Sequence, residues 1–256
     1  MPAEDVSPWF FKCGNQRNNS ARRLFCFPFA GGGIATYTPW AQYFETQAEV
    51  FAAQLPGRGK RFNETPATVL QTLIESLMQA IIPLMDKPCV FFGHSMGAIL
   101  AYELCLKLHS ENKTLPSILM LSACNPPHFK TEKSTPLHTL PSAQFWQAVH
   151  QINGTPNEVF KNTELLELVE PALRADFKIA GDWHQQNKSH QPILPIPIKL
   201  FGGLKDKSIS KENLSAWRDY SVNTAPPQFL KGDHFFINDA ESGLLPLIST
   251  SLLSIG

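Results

Sequence analysis

The chain has no excess of either charge: Lys plus Arg and Asp plus Glu each number 22 in 256 residues. That balance excludes the electrostatic footprint by which proteins grip nucleic acid or an anionic membrane. No apolar run approaches the ~20 residues needed to cross a bilayer, so no membrane anchor is expected. Met1 to Asp5 lack the basic-then-apolar layout of a secretory leader. Cysteine is scarce and odd in number, with five in all, and Cys26, Cys89, Cys105 and Cys124 lie in apolar runs. Such cysteines read as reduced core thiols of a cytoplasmic protein rather than as a disulfide framework. No Cys-x-x-Cys pair or His/Cys cluster has zinc spacing, so no metal is expected. Repeats and low-complexity tracts are also missing. What remains is a globular composition, 43% hydrophobic and 17% charged, long enough to bury a full core.

Strand-like and helix-like stretches alternate along most of the chain. Residues 1–21 are polar and irregular apart from Trp9-Phe10-Phe11, and read as a loosely attached lead-in. Strands are predicted at Arg22–Phe29, Glu49–Leu55, Ser117–Ala123, Pro195–Gly202 and Pro227–Lys231, and in the apolar run from Cys89 to Phe92. Helices are predicted around Pro39–Thr46, at Thr68–Met85 with its last turn bent by Pro83, and from the end of the Cys89 strand to about Ser110. Two more follow at Lys211–Tyr220 and Ser242–Leu253. This alternation implies a mostly parallel central sheet flanked by helices on both faces, in one domain spanning residues 1–256. Residues 126–192 break the pattern. They hold helical spacing around Phe145-Trp146 and from Leu165 to Ile179 but no good strand, which reads as a helical lid inserted between two strands.

Gly93-His94-Ser95-Met96-Gly97 sits between the apolar run Cys89–Phe92 and the helical Ala98–Leu104. Gly-x-Ser-x-Gly between strand and helix is the nucleophile elbow of the α/β-hydrolase fold. A side chain at either glycine would crowd the closely packed turn, and the helix N-terminus behind the serine favours developing negative charge. A serine hydroxyl needs a base, and the base an orienting acid. In this fold the order is serine, acid, histidine. Asp206, in the loop just past the predicted strand Pro195–Gly202, is the expected acid, and His234, in Gly232-Asp233-His234-Phe235-Phe236, the expected base. Asp233 is the competing acid, but its sequence neighbour His234 should point elsewhere. Asp219 lies in a helix pattern and reads as solvated. Among eight histidines, His109, His138, His150, His184 and His190 read as surface residues and His94 as a frame for the turn. The oxyanion needs two N–H donors. Met96 should supply one, and Ala30, in Phe29-Ala30-Gly31-Gly32-Gly33, the other, with Phe29 as second choice.

Five segments occur in one order: Phe27-Pro28-Phe29-Ala30-Gly31-Gly32, Gln54-Leu55-Pro56-Gly57-Arg58, Gly93-His94-Ser95-Met96-Gly97-Ala98, Leu173-Arg174-Ala175-Asp176-Phe177 and Gly232-Asp233-His234-Phe235-Phe236. Together they resemble type II thioesterases, free-standing α/β-hydrolases of polyketide and non-ribosomal peptide synthesis, from about Leu24 to the C-terminus. The resemblance departs at Gly59-Lys60, where family members commonly carry an acidic residue. It implies hydrolysis of acyl thioesters on the phosphopantetheine arm of an acyl or peptidyl carrier protein, clearing stalled or misprimed chains. It matches Ser95 to the nucleophile, Asp206 to the acid, His234 to the base, and Ala30 and Met96 to the oxyanion donors. No cofactor is implied, and a cytoplasmic monomer is expected. Release of medium-chain fatty acids from fatty acid synthase is the alternative within the family. A general carboxylesterase or lipase is the rival on the same fold. A catalytically dead binding module is disfavoured by the intact Ser95, Asp206 and His234 set.

Overall fold

The computed structural model describes residues 7–14, 20–129, 135–152, 160–185 and 191–255. Eight strands form one sheet: β1 (Phe10–Lys12), β2 (Arg23–Phe27), β3 (Glu49–Ala53), β4 (Cys89–His94), β5 (Ile118–Ser122), β6 (Leu194–Gly203), β7 (Ser221–Thr224) and β8 (Gln228–Leu230). Their order is β1-β3-β2-β4-β5-β6, with β7 and β8 both paired to the outer edge of β6. Only β1 runs antiparallel to its neighbour; the other pairings are parallel. The central strands are continuous apolar runs, such as Leu24–Phe27 and Cys89–Phe92, because helices cover both faces and leave no solvated side.

Helices α1 (Ile34–Tyr43), α2 (Leu70–Ile81) and α3 (Met96–Ser110) follow β2, β3 and β4. Helices α4 (Ser142–Ile152) and α5 (Thr163–Gln185) lie between β5 and β6, α6 (Lys211–Ser215) precedes β7, and α7 (Leu244–Leu253) closes the chain. The bend expected at Pro83 is a 3₁₀ turn, Ile82–Leu84, and the helix expected to reach Tyr220 tightens to 3₁₀ from Ala216.

Three expectations need correction. The lead-in is not loose throughout: Phe10–Lys12 adds an edge strand to β3, and Phe10 is 2% exposed against the rings of Phe25 and Phe27. Helix α1 starts at Ile34 rather than at Pro39, which sits inside it. Proline suits a first helical turn, but here Tyr37, Trp40 and Ala41 bury a helical face that offsets the lost N–H. Strand β7 was not expected, because Ser-Val-Asn-Thr is short, polar and lies on an edge.

Between β5 and β6 the described residues contain helices and no strand. Phe145, Trp146, Val149 and Leu173 form a small apolar cluster separate from the main core. The far end of α5 belongs to that main core through Ile179 and Trp183.

Candidate active site

The elbow is built by close backbone approach. A Cβ on Gly93 would stand 2.1 Å from the Gly97 carbonyl oxygen, and one on Gly97 would stand 2.0 Å from the Phe27 oxygen of β2. Neither position has room for a side chain. Ser95 itself takes φ 54° and ψ −119°, a conformation that costs an L-residue of order 1–3 kcal/mol and persists only when its surroundings enforce it. The Ser95 N–H donates to the Ser122 carbonyl on β5 at 2.8 Å. His94 is fully buried, with Nδ1 sharing a 2.8 Å hydrogen bond with Ser122 Oγ. Its burial depresses its pKa well below the ordinary histidine value, which keeps it a neutral frame for the turn.

Ser95, Asp206 and His234 come from loops at the carboxyl ends of β4, β6 and β8, the edge where parallel sheets present their ligand crevice. His234 donates from Nδ1 to Asp206 Oδ2 at 2.6 Å, leaving Nε2 to accept from the Ser95 hydroxyl at 3.1 Å. The second oxygen of Asp206 accepts from the Ser208 N–H at 2.8 Å and from its hydroxyl at 2.6 Å. Burial alone would raise the Asp206 pKa, but the hydrogen bonds from His234 and Ser208 hold it below the usual carboxylate range. The acid and base loops are laced together by Leu204 N–H to the Leu230 carbonyl and Lys205 N–H to the Gly232 carbonyl.

The other candidates lie elsewhere. Asp233 Oδ1 accepts from the Phe235 N–H at 2.9 Å, turned towards its own backbone. Asp219 is exposed beside Arg218. His109, His138 and His184 are half-buried, His150 is exposed and His190 lies outside the described residues. His128 hydrogen-bonds the Tyr220 hydroxyl through Nδ1 at 2.7 Å.

Met96 begins α3, so its N–H faces outward from a helix N-terminus. Ala30 lies in the turn after β2, which is closed by the Gly32 N–H donating to the Phe29 carbonyl at 2.8 Å. Among the described residues, neither the Ala30 nor the Met96 N–H is engaged by another protein group. The next N–H along, that of Gly31, is taken by Asp176 Oδ2 at 2.8 Å. Asp176 and its partner Arg58 stand in two of the five segments that carry the family resemblance, yet the sequence marks no role for either. The available signal was an aspartate placed in the apolar stripe of a helix.

Two cavities flank this region. One, of about 500 Å³, is lined by Ser95, His234, Asp206, Phe177, Lys205 and Lys207. The other, of about 310 Å³, is mainly apolar and is lined by Ala30, Arg58, Phe62, Trp146, Leu168 and Leu173. Among the described residues, no helix is long and apolar enough to cross a membrane, and no cluster of His, Cys, Asp or Glu could hold a metal ion. All five cysteines are free and buried.

A parallel sheet carrying a serine elbow, an acid loop and a histidine loop in that order defines an α/β-hydrolase. Residues 22–252 match the thioesterase domain family. The chain is 34% identical over 247 residues to the gramicidin S biosynthesis protein GrsT of Aneurinibacillus migulanus, covering 96% of this chain and 94% of that protein. It is 31% identical over 231 residues to the human medium-chain S-acyl fatty acid synthase thioesterase, covering 90% and 86%. Among solved structures it superimposes on BorB, a type II thioesterase from the borrelidin biosynthetic cluster, with TM-score 0.84 and 26% identity over 96% of this chain and 98% of that one. The chain belongs to the thioesterase family and is a thioester hydrolase.

Proposed function

We propose that this chain is an editing thioesterase of non-ribosomal peptide or polyketide synthesis. Its substrate would be an acyl group held as a thioester on the phosphopantetheine arm of an acyl or peptidyl carrier protein. The observation that carries the reading is the uninterrupted row Ser95–His234–Asp206, at 3.1 and 2.6 Å, together with the Ala30 and Met96 N–H groups, which no protein group engages among the described residues.

In this mechanism His234 Nε2 takes the Ser95 proton as Oγ attacks the thioester carbonyl, and Asp206 holds the imidazole in the required tautomer. The oxyanion is met by the Ala30 and Met96 N–H groups. The carbon–sulfur bond breaks, His234 returns its proton to the departing thiolate, and an acyl-Ser95 ester remains. Water, deprotonated by His234, then releases the carboxylic acid and restores the serine. Each of these steps closes without a metal or organic cofactor.

Residues 126–192 act as a lid within one domain spanning residues 1–256. Phe177 on α5 lines the cavity that holds Ser95, so movement of that helix would reshape the site for different acyl chains. Lys205 and Lys207 at the same cavity suit the phosphate of the arm. The reading takes the chain to be a cytoplasmic monomer that meets its carrier transiently near the lid.

Medium-chain fatty acyl release is the second reading, favoured by the human relative. The test is hydrolysis of carrier-bound thioesters across a series of acyl groups, beside oxygen esters of the same acyl groups. Editing activity predicts a broad acyl range with thioesters strongly preferred. A sharp optimum at medium-chain fatty acyl groups supports the second reading, and equal rates on oxygen esters would mark a general esterase.

A further inference from the structure

Two of the five segments supply neither a member of the Ser95–His234–Asp206 row nor an oxyanion donor, and the structure joins them to each other. Asp176 on α5 is 1% exposed, and Arg58 grips both of its oxygens: Nη1 donates to Oδ2 and Nη2 to Oδ1, each at 2.7 Å. This ion pair reaches across to the turn after β2. Asp176 Oδ2 accepts the Gly31 N–H at 2.8 Å, and Arg58 Nη1 donates to the Gly32 carbonyl at 3.2 Å. The carboxylate therefore holds an N–H and the guanidinium a C=O of two consecutive residues, directly after Ala30.

The consequence concerns peptide planes. The Ala30 N–H belongs to the peptide whose carbonyl is that of Phe29, and that carbonyl is fixed by the Gly32 N–H. The following peptide is fixed by Asp176 through its Gly31 N–H. Gly31 has φ +76°, so this turn relies on outside contacts to keep one geometry. A buried ion pair is a poor stabiliser, because desolvating two charges cancels much of their attraction. Its value here is directional. We propose that Arg58 and Asp176 are positioning residues that hold the Ala30 N–H aimed at the developing oxyanion. The inference rests on the oxyanion role given to Ala30 above.

The test is steady-state kinetics of Asp176→Asn on an acyl-phosphopantetheine thioester. The amide keeps the size of the side chain but turns an NH₂ towards the Arg58 donors. The expected result is a kcat roughly 10- to 100-fold lower, the scale of a misplaced reacting group. KM should stay within about three-fold of wild type, since uniform binding is untouched. Affinity for a trifluoromethyl ketone, which becomes an oxyanion on Ser95, should fall in step with kcat/KM. The midpoint of the pH profile should not move. A wild-type kcat with only a lower melting temperature would overturn the proposal, as would a higher KM at unchanged kcat. If Asp176→Asn does not fold, Arg58→Met with Asp176→Leu removes the pair without stranding a charge, and a wild-type kcat there is equally fatal. Wild-type enzyme without thioesterase activity would instead defeat the functional reading.

Discussion

The acid beside His234 is a choice between two aspartates, and backbone geometry separates them. Asp206 reaches the imidazole at 2.6 Å, whereas Asp233 spends an oxygen on the Phe235 N–H. Asp206→Asn should therefore cut kcat by roughly 10⁴, because the neutral amide no longer selects the tautomer that leaves Nε2 free to accept. Asp233→Asn should stay within about three-fold of wild type, as expected for a residue outside the reacting groups. The opposite pattern in a single-turnover assay would move the acid role to Asp233. That Ser95, Asp206 and His234 would meet was legible in the sequence, because a serine hydrolase demands these residue types in a known chain order. Arg58 and Asp176 were not, since nothing local marks a contact between residues 118 apart. Chemistry announces itself in a sequence, whereas support does not.

At the scale of elements, α5 has two characters. Its beginning packs through Leu166, Val169 and Leu173 on the small cluster with Phe145 and Trp146, while Ile179 and Trp183 near its end belong to the main core. Hydrogen exchange should divide accordingly. Amides of α4 and of α5 up to about Leu173 should exchange fastest among the helices, and acylated carrier protein should slow them, while those near Trp183 stay protected. Protection as deep as that of β4 throughout residues 126–192, unchanged by carrier, would remove the support for a lid. The helical spacing of this insertion was readable, as was the break in alternation. What could not be read was where the helix passes from one cluster to the other, because apolar spacing continues across the change. The same limit hid β1 and β7: one is a three-residue edge, the other is mostly polar, and edge strands owe their form to a neighbour rather than to their own pattern.

Across the whole molecule, the sheet is pinned at the end opposite the active site by one buried carboxylate. Glu49, at the start of β3, accepts from Lys12 on β1 at 2.5 Å, from Arg23 on β2 at 2.9 Å and from Lys87 ahead of β4 at 3.0 Å. Burial would raise its pKa, but hydrogen bonds from Lys12, Lys87 and Arg23 outweigh that and hold it below the ordinary glutamate value. A carboxyl with a depressed folded pKa contributes stability that is present above the unfolded value of about 4.3. That contribution is lost as pH falls through the lower folded value. Glu49→Gln should cost roughly 3 kcal/mol at neutral pH, since it leaves partly buried cations unmatched. The gap from wild type should narrow below about pH 4 as the wild-type carboxyl itself protonates. A gap that stays constant with pH in thermal unfolding would refute the electrostatic origin. The parallel sheet was legible from the alternation of strands and helices. This cluster was not, because strand order brings Lys12, Arg23, Glu49 and Lys87 together and the sequence does not print strand order.

If Ser95 carries the acyl group during thioester hydrolysis, the mass of the enzyme caught in the act will show it. The protein is mixed with an acyl-phosphopantetheine carrier thioester, quenched in acid within its first turnover, digested and analysed by mass spectrometry. The expected result is a mass gain equal to one acyl group on the peptide containing Ser95, lost on longer incubation and absent from Ser95→Ala. Full thioester turnover by Ser95→Ala, or an acyl group trapped on another residue, would contradict it.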